Sequence, residues 1–307
     1  MLWLLIAIIG RFIDAWVAII DKLILKHTVF KPASYAFFTG IFSIFTVGFI
    51  IPISWVIKSF GVFAVPDLPL MFFDFFIGIV LFFAIFSLFS AFHLTEASRA
   101  ATFIGSLVPI FTLCLSFFIL GEKLPENYIW SFAFLILGTF IIALSGKSFR
   151  IGGALPYALL SAFLWALFFV LMKKVFGIQS FTTTLFWMEL GLVIGALLFL
   201  LKPAARAEIF KSSVAVPAKK SHIALFVLNK LLGRVSSLLI IFAVSLGNVT
   251  MVNALEGIKY VFVFLIAILF SAIFPKILKE ELSFPIILQK VLAIILIGIG
   301  ILMLVTR

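Results

Sequence analysis

Charges set inside apolar runs are the residues of this chain most able to do chemistry. Arg11 and Asp14, Glu189, Lys230 and Arg234, and Glu256 and Lys259 all stand in stretches otherwise built from Leu, Ile, Val, Phe and Ala. A charge held at mid-helix in a bilayer costs about 2.5–3.5 kcal/mol, so this set facing lipid would cost about 20 kcal/mol. That exceeds the ~5–15 kcal/mol net stability of an ordinary domain. These side chains must face each other, water or a ligand. Their spacing is helical: Arg11 and Asp14 are i,i+3, Lys230 and Arg234 are i,i+4, and Asn253, Glu256 and Lys259 or Tyr260 step along one face.

Each group has its own chemistry. Arg11–Asp14 and Glu256–Lys259 can each close an ion pair on their own helix, or offer a cation and a carboxylate to a polar ligand. Asp14 or Glu256 suits a cationic group or a proton. Lys230 and Arg234 are like charges one turn apart and call for an anion, either Glu256 from the next helix or a carboxylate or phosphate on a ligand. Asn229 and Asn253 flank this set and can orient a ligand or the ion pairs. Arg99, Thr102 and Ser106 form a milder polar face leading to Pro109, which frees a backbone carbonyl and bends its helix. Tyr157, Ser161 and Trp165 recur every fourth residue, as an aromatic wall or as core packing. Glu189 follows the polar segment Ser180 to Thr184 and reads as close to the membrane boundary, without a ligand role.

The elements that must position these residues are membrane helices. Of 307 residues, 65% are apolar and 11% charged, and mean hydropathy is +1.36; soluble domains are about half apolar and about one-quarter charged. At about 20 apolar residues per span, the sequence predicts an all-α integral membrane protein of ten transmembrane helices, at about 2–24, 34–57, 72–93, 96–119, 128–145, 152–173, 181–201, 223–246, 249–274 and 285–305. Breakers such as Lys31-Pro32, Pro66-Asp67-Leu68-Pro69 and Gly152-Gly153 separate them. The basic connection from Lys202 to His222 reads as a solvated cytoplasmic loop, with a short surface helix as the alternative. Met1 to Ile9 lacks the basic start and small-residue cleavage site of a signal peptide, so it is expected to stay as part of helix one.

The net charge of +11 reflects membrane topology rather than nucleic-acid binding, because Lys and Arg gather at span ends. The odd-numbered loops hold most of them, which by the positive-inside rule places both termini outside. The single Cys, Cys114, excludes a disulfide framework and a Cys-based zinc site. HExxH, HxxxxD and GxGD patterns are absent from the sequence, which argues against an intramembrane enzyme; no metal or cofactor is expected.

The chain also repeats itself. Predicted helix four ends in Gly121-Glu122-Lys123-Leu124 and predicted helix nine in Lys279-Glu280-Glu281-Leu282, each followed by a helix with glycines: Gly138 in one half, Gly298 and Gly300 in the other. Two five-helix halves, 1–147 and 152–307, meet near Gly146–Gly153. An odd number of spans per half inverts one half relative to the other, the plan of many secondary transporters.

The stretch from Ala97 to Gly146 resembles the drug/metabolite transporter superfamily, in particular its EamA-like family, through Ala97, Ala100, Ala101, Pro109, Gly121-Glu122-Lys123-Leu124 and Gly138. Gly153-Ala154-Leu155, Trp165-Ala166 and Lys173-Lys174 resemble the opening of that family's second half. The resemblance weakens at Lys259-Tyr260, where a proline is usual, and at Glu280, which matches only after about five extra residues. It implies a carrier of small organic metabolites in the plasma (inner) membrane, working by alternating access, with a proton or an exchanged metabolite as coupling partner. Arg11, Asp14, Lys230, Arg234, Asn253, Glu256, Lys259, Tyr260, Ser106 and Trp165 are the candidate substrate-binding residues. The alternatives are a lipid or amphiphile flippase and a structural membrane protein. Substrate, direction and oligomeric state do not follow from the sequence.

Overall fold

The structure, a computed structural model, describes residues 2–27, 31–95, 97–144, 152–214, 220–271 and 284–306. Among the described residues all regular elements are helices: α1 (Leu2–His27), α2 (Pro32–Val56), α3 (Leu68–Leu94), α4 (Ala97–Leu120), α5 (Glu126–Ala143), α6 (Leu155–Phe176), α7 (Phe181–Phe199), α8 (Pro203–Val214), α9 (Lys220–Leu246), α10 (Val249–Ala254), α11 (Glu256–Ser271) and α12 (Phe284–Val305). Prolines open α2 and α3, where a missing N–H costs nothing. Ser180 and Asn248 cap α7 and α10, accepting from the Thr183 N–H at 3.2 Å and the Met251 N–H at 3.1 Å.

Nine stretches of the described residues are long and apolar enough to cross a bilayer, from Leu2–Asp21 to Leu288–Val305. The chain is an all-α, multi-pass membrane protein. The fifth predicted span is shorter than expected. Its apolar helix Tyr128–Ala143 rises about 24 Å at 1.5 Å per residue, below a hydrocarbon core about 30 Å thick.

Two further expectations are corrected. The predicted loop after Lys202 contains the helix α8, started by Pro203 and held where the Ala33 N–H donates to Glu208 Oε1 at 3.1 Å. Predicted helix nine is interrupted at Leu255, between α10 and α11. The two pieces are drawn to different neighbours: Asn253 and Thr250 of α10 bond to α4, whereas Glu256 pairs with α1. Gly257, a poor helix former, follows at once. The second glutamate motif, Lys279 to Leu282, and the junction at 145–151 lie outside the described residues.

α1 packs along α9, α3 along both α6 and α7, α2 along α7, α4 along α6, and α5 along α12, while α11 lies against α1. The α3–α7 crossing depends on glycine. A Cβ at Gly78 would run into the Met188 carbonyl and the Leu192 amide, and one at Gly191 into the Phe75 backbone. The α5–α12 seam uses Gly138, which faces Ile297 and Ala293, and the Ser131 hydroxyl donates to the Gly300 carbonyl at 2.6 Å. Trp55, Phe118 and Leu201 point outward, as side chains in contact with lipid do.

Candidate functional site

Arg11 and Asp14 leave α1 in the middle of its apolar stretch and face the first turn of α11. Glu256 pairs there with both Arg11 and Lys259. Asp14 completes the ring, 3.3 Å from Lys259 and 3.7 Å from Arg11. Two cations and two carboxylates thus close a circuit of zero net charge, with Arg11 only 4% exposed. The Nε of Arg11 has no partner among the described residues. α4 forms the neighbouring wall. The Tyr260 hydroxyl donates to the Ala101 carbonyl at 2.7 Å. Gly105 admits this approach, since a Cβ there would strike the Tyr260 hydroxyl and crowd Glu256. The i,i+3 spacings noted in the sequence therefore become one inter-helix ring rather than two separate same-helix pairs.

Lys230 and Arg234 do not join this ring, and Glu256 is not their anion. Arg234 donates through Nη1 to both oxygens of Glu189, at 3.0 and 3.1 Å, and through Nη2 to the Thr39 carbonyl at 3.1 Å. Glu189 is buried. Ser180 caps the start of α7, so Glu189 lies nine residues in, about 13 Å along the helix axis. Lys230 donates to the Tyr35 hydroxyl at 2.6 Å and lies 4.0 Å from the Tyr35 ring centroid, a cation–π contact. Tyr35 in turn donates to Asp21 Oδ1 at 3.1 Å, and Asn229 Nδ2 donates to the same oxygen at 2.7 Å.

The remaining candidates are dispersed. Asn253 donates to Thr112 on α4 at 3.2 Å and keeps a buried, unpartnered Oδ1, whereas the Tyr260 ring lies against the charged ring, 5.1 Å from Lys259 Nζ. Ser106 is buried and donates to its own helix at the Phe103 carbonyl, 2.8 Å away. Trp165 stacks on Phe169 at 5.8 Å and meets Phe168 edge-on, within the aromatic core. Glu122 accepts from Asn248 at 3.2 Å.

Asp21, Tyr35 and Lys173 were not among the candidate substrate-binding residues. Lys173 donates to three carbonyls at the end of α9, those of Val244, Ser245 and Gly247, at 3.1, 3.3 and 2.7 Å. It satisfies acceptors that a helix end leaves orphaned. The signal for it was a lysine one turn before the end of an apolar helix; for Asp21 it was an acid two turns along from Asp14. Among the described residues no group of three or more His, Cys, Asp or Glu could hold a metal ion. The arrangement can instead hold a charged or dipolar ligand, because each charge of the ring has a partner that a ligand group of the same sign could replace.

No protein-family model matches the chain, and no curated protein matches it. Solved structures do. One, described as "Crystal structure of protein", is 19% identical and superposes with a TM-score of 0.62 over 96% of this chain and 98% of its own. At that identity the likeness is one of fold.

Proposed function

We propose that this chain is a secondary transporter of a small, charged organic metabolite, of the EamA-like drug/metabolite type. In this reading it lies in the plasma membrane as ten spans in two inverted repeats, 1–147 and 152–307. Substrate binds between the repeats, and the repeats rock to open the site to either side. The observation that carries the reading is the neutral ring of Arg11, Asp14, Glu256 and Lys259, at mid-span between a helix of one repeat and a helix of the other. A protein with only a structural role gains little from it, since apolar residues of similar volume often replace buried ion pairs without loss. The helix interruption at Leu255 beside the ring adds support, because broken spans line transporter sites. So do the packing pairs: exchanging the repeats turns α1–α9 into α6–α3 and leaves α2–α7 and α5–α12 in place.

In this mechanism a substrate carboxylate takes Arg11 or Lys259 and a substrate ammonium takes Asp14 or Glu256, so the ring opens as the ligand enters. A proton or a second metabolite returns the empty carrier. The test has two stages. A thermal-shift screen of amino acids, organic acids, amines and nucleosides finds binders, since a ligand of the native state raises its melting point. Binders are then assayed by counterflow in proteoliposomes. Uptake that Glu256→Gln and Lys259→Gln leave intact removes the ring from the mechanism. Lipid scrambling without solute uptake identifies a flippase instead.

A further inference from the structure

Asp74 stands apart from all of these clusters. It lies on α3 in the run Met71-Phe72-Phe73-Asp74-Phe75-Phe76 and is completely buried. It is six residues from the start of α3, about 9 Å along the axis. Its partner is Gln179 in the turn between α6 and α7, whose Nε2 donates to Asp74 Oδ2 at 2.6 Å. The other oxygen of each group, Asp74 Oδ1 and Gln179 Oε1, is buried without a partner. Both orphans are acceptors, so neither can satisfy the other while Asp74 is ionised.

The charged groups on the surrounding elements are engaged or turned elsewhere. On α7, Glu189 holds Arg234. On α6, Lys173 binds the end of α9 and Lys174 is exposed. Tyr35 of α2 bonds to Asp21, and Lys58 after α2 is exposed. Glu122, just after α4, accepts from Asn248, and Arg99 lies in the first turn of α4, which follows the far end of α3. On α3 itself Asp67, its cap residue, and His93 are exposed. Burying an unpaired carboxylate is among the costliest arrangements a protein can hold. One proton removes the whole difficulty. A carboxylic acid and a primary amide form a cyclic pair in which the amide N–H donates to one carboxyl oxygen and the carboxyl O–H donates to the amide oxygen. Turning the Gln179 amide over changes which oxygen carries the proton, but not the need for it.

We propose that Asp74 and Gln179 form a proton-binding site, occupied at neutral pH, that clasps α3 to the α6–α7 turn. The proton comes from bulk water at the nearby membrane boundary and returns there, leaving a carboxylate that faces the Gln179 carbonyl and opens the clasp. The clasp lies beside the close-packed part of α3 and α7, one turn from Gly78, so its release loosens the end of that crossing. The inference does not rest on transport.

Infrared spectroscopy and pH-dependent melting of the purified full chain test it. The wild type should show a protonated-carboxyl C=O band at neutral pH that disappears as pH rises, and Asp74→Asn should lack that band. The folded state holds a proton that an unfolded aspartate, with a pKa of about 4, has released, so thermal stability should fall as pH rises through the release. Asp74→Asn replaces the acid–amide pair with an amide–amide pair and should flatten that fall; Asp74→Ala should melt lower than Asp74→Asn throughout. If Asp74→Ala does not fold, the infrared band and the melting of Asp74→Asn decide alone. A wild-type spectrum in which Asp74→Asn removes only carboxylate bands, or a pH profile that Asp74→Asn leaves unchanged, overturns the proposal.

Discussion

Glu256→Gln is the substitution that most directly tests the charged ring. The wild-type ring holds two positive and two negative charges; the variant keeps Arg11, Lys259 and Asp14 and so carries one excess positive charge. Asp14 lies 3.3 Å from Lys259 and 3.7 Å from Arg11. At an effective dielectric of about 20, each such contact is worth about 5 kcal/mol of attraction before desolvation, and one carboxylate cannot serve both cations equally well. Removing one member of a buried pair typically costs about 3–5 kcal/mol, because the partner is left uncompensated. Arg11→Gln combined with Glu256→Gln returns the net charge to zero and leaves the Asp14–Lys259 pair in place. The double variant should therefore cost less than the sum of the Arg11→Gln and Glu256→Gln losses, by the ~0.5–3 kcal/mol that double-mutant cycles find for contacting residues. Reversible unfolding in mixed micelles, followed by the tryptophan signal, measures Glu256→Gln, Arg11→Gln and the double variant. If the two single losses add, or if Glu256→Gln melts like the wild type, the ring is not one electrostatic unit and the argument fails.

Other outcomes follow from the same contacts. Glu189→Gln keeps the shape but leaves Arg234 without a carboxylate; it should destabilise the protein by about 3 kcal/mol, and Glu189→Gln with Arg234→Met should recover part of that in the same unfolding assay. Gly78→Ala places a methyl group against the Met188 carbonyl and should lower stability by about 1–3 kcal/mol as an overpacked contact, whereas Gly48→Ala, where nothing lies within 4 Å, should be neutral or slightly stabilising. Lys173→Met removes the donor to three carbonyls ending α9; amide exchange in the last turn of α9 should speed up while that of α5 stays unchanged.

What the sequence made legible follows from the cost of charge in lipid. Arg11, Asp14, Glu256 and Lys259 stood out because no apolar context tolerates them singly, and their i,i+3 spacing put each pair on one helical face. Spacing along one helix does not identify the partner on another. The sequence presents Lys230 and Arg234 as sharing one anion; instead Arg234 meets Glu189 of α7, while Lys230 donates to the Tyr35 hydroxyl of α2. Glu189 is set aside in the sequence for its nearness to a polar segment; that segment caps α7, and Glu189 lies buried within the helix as the partner of Arg234. Asn253 and Tyr260 shared a stripe with Glu256 on an uninterrupted helix; the interruption at Leu255 and the nearness of α4 divide that stripe. The helical class and most spans needed only composition. α8 and the shortness of α5 needed more, because a short helix of mixed polar and apolar residues without a distinct apolar face, and a slightly shortened span, barely alter hydropathy.

Within the proposed cycle the structure also suggests which seam moves. In the proposed repeats the counterpart of the α3–α7 crossing is the approach of α9 to α2, and the two are built differently. α3 and α7 touch backbone to backbone through Gly78 and Gly191, and separating them would forfeit dispersion contacts that water cannot replace. α9 reaches α2 through long polar side chains, Arg234 to the Thr39 carbonyl and Lys230 to Tyr35. Water can take over each of those hydrogen bonds at little net cost. Opening along α2–α9 therefore loses hydrogen bonds that solvent can supply and one cation–π contact, Lys230 on Tyr35, while α3–α7 stays shut. Spin labels across α2 and α9 should show a broad distance distribution that a bound ligand narrows, and labels across α3 and α7 a single narrow one; equal breadth on both seams would refute this assignment.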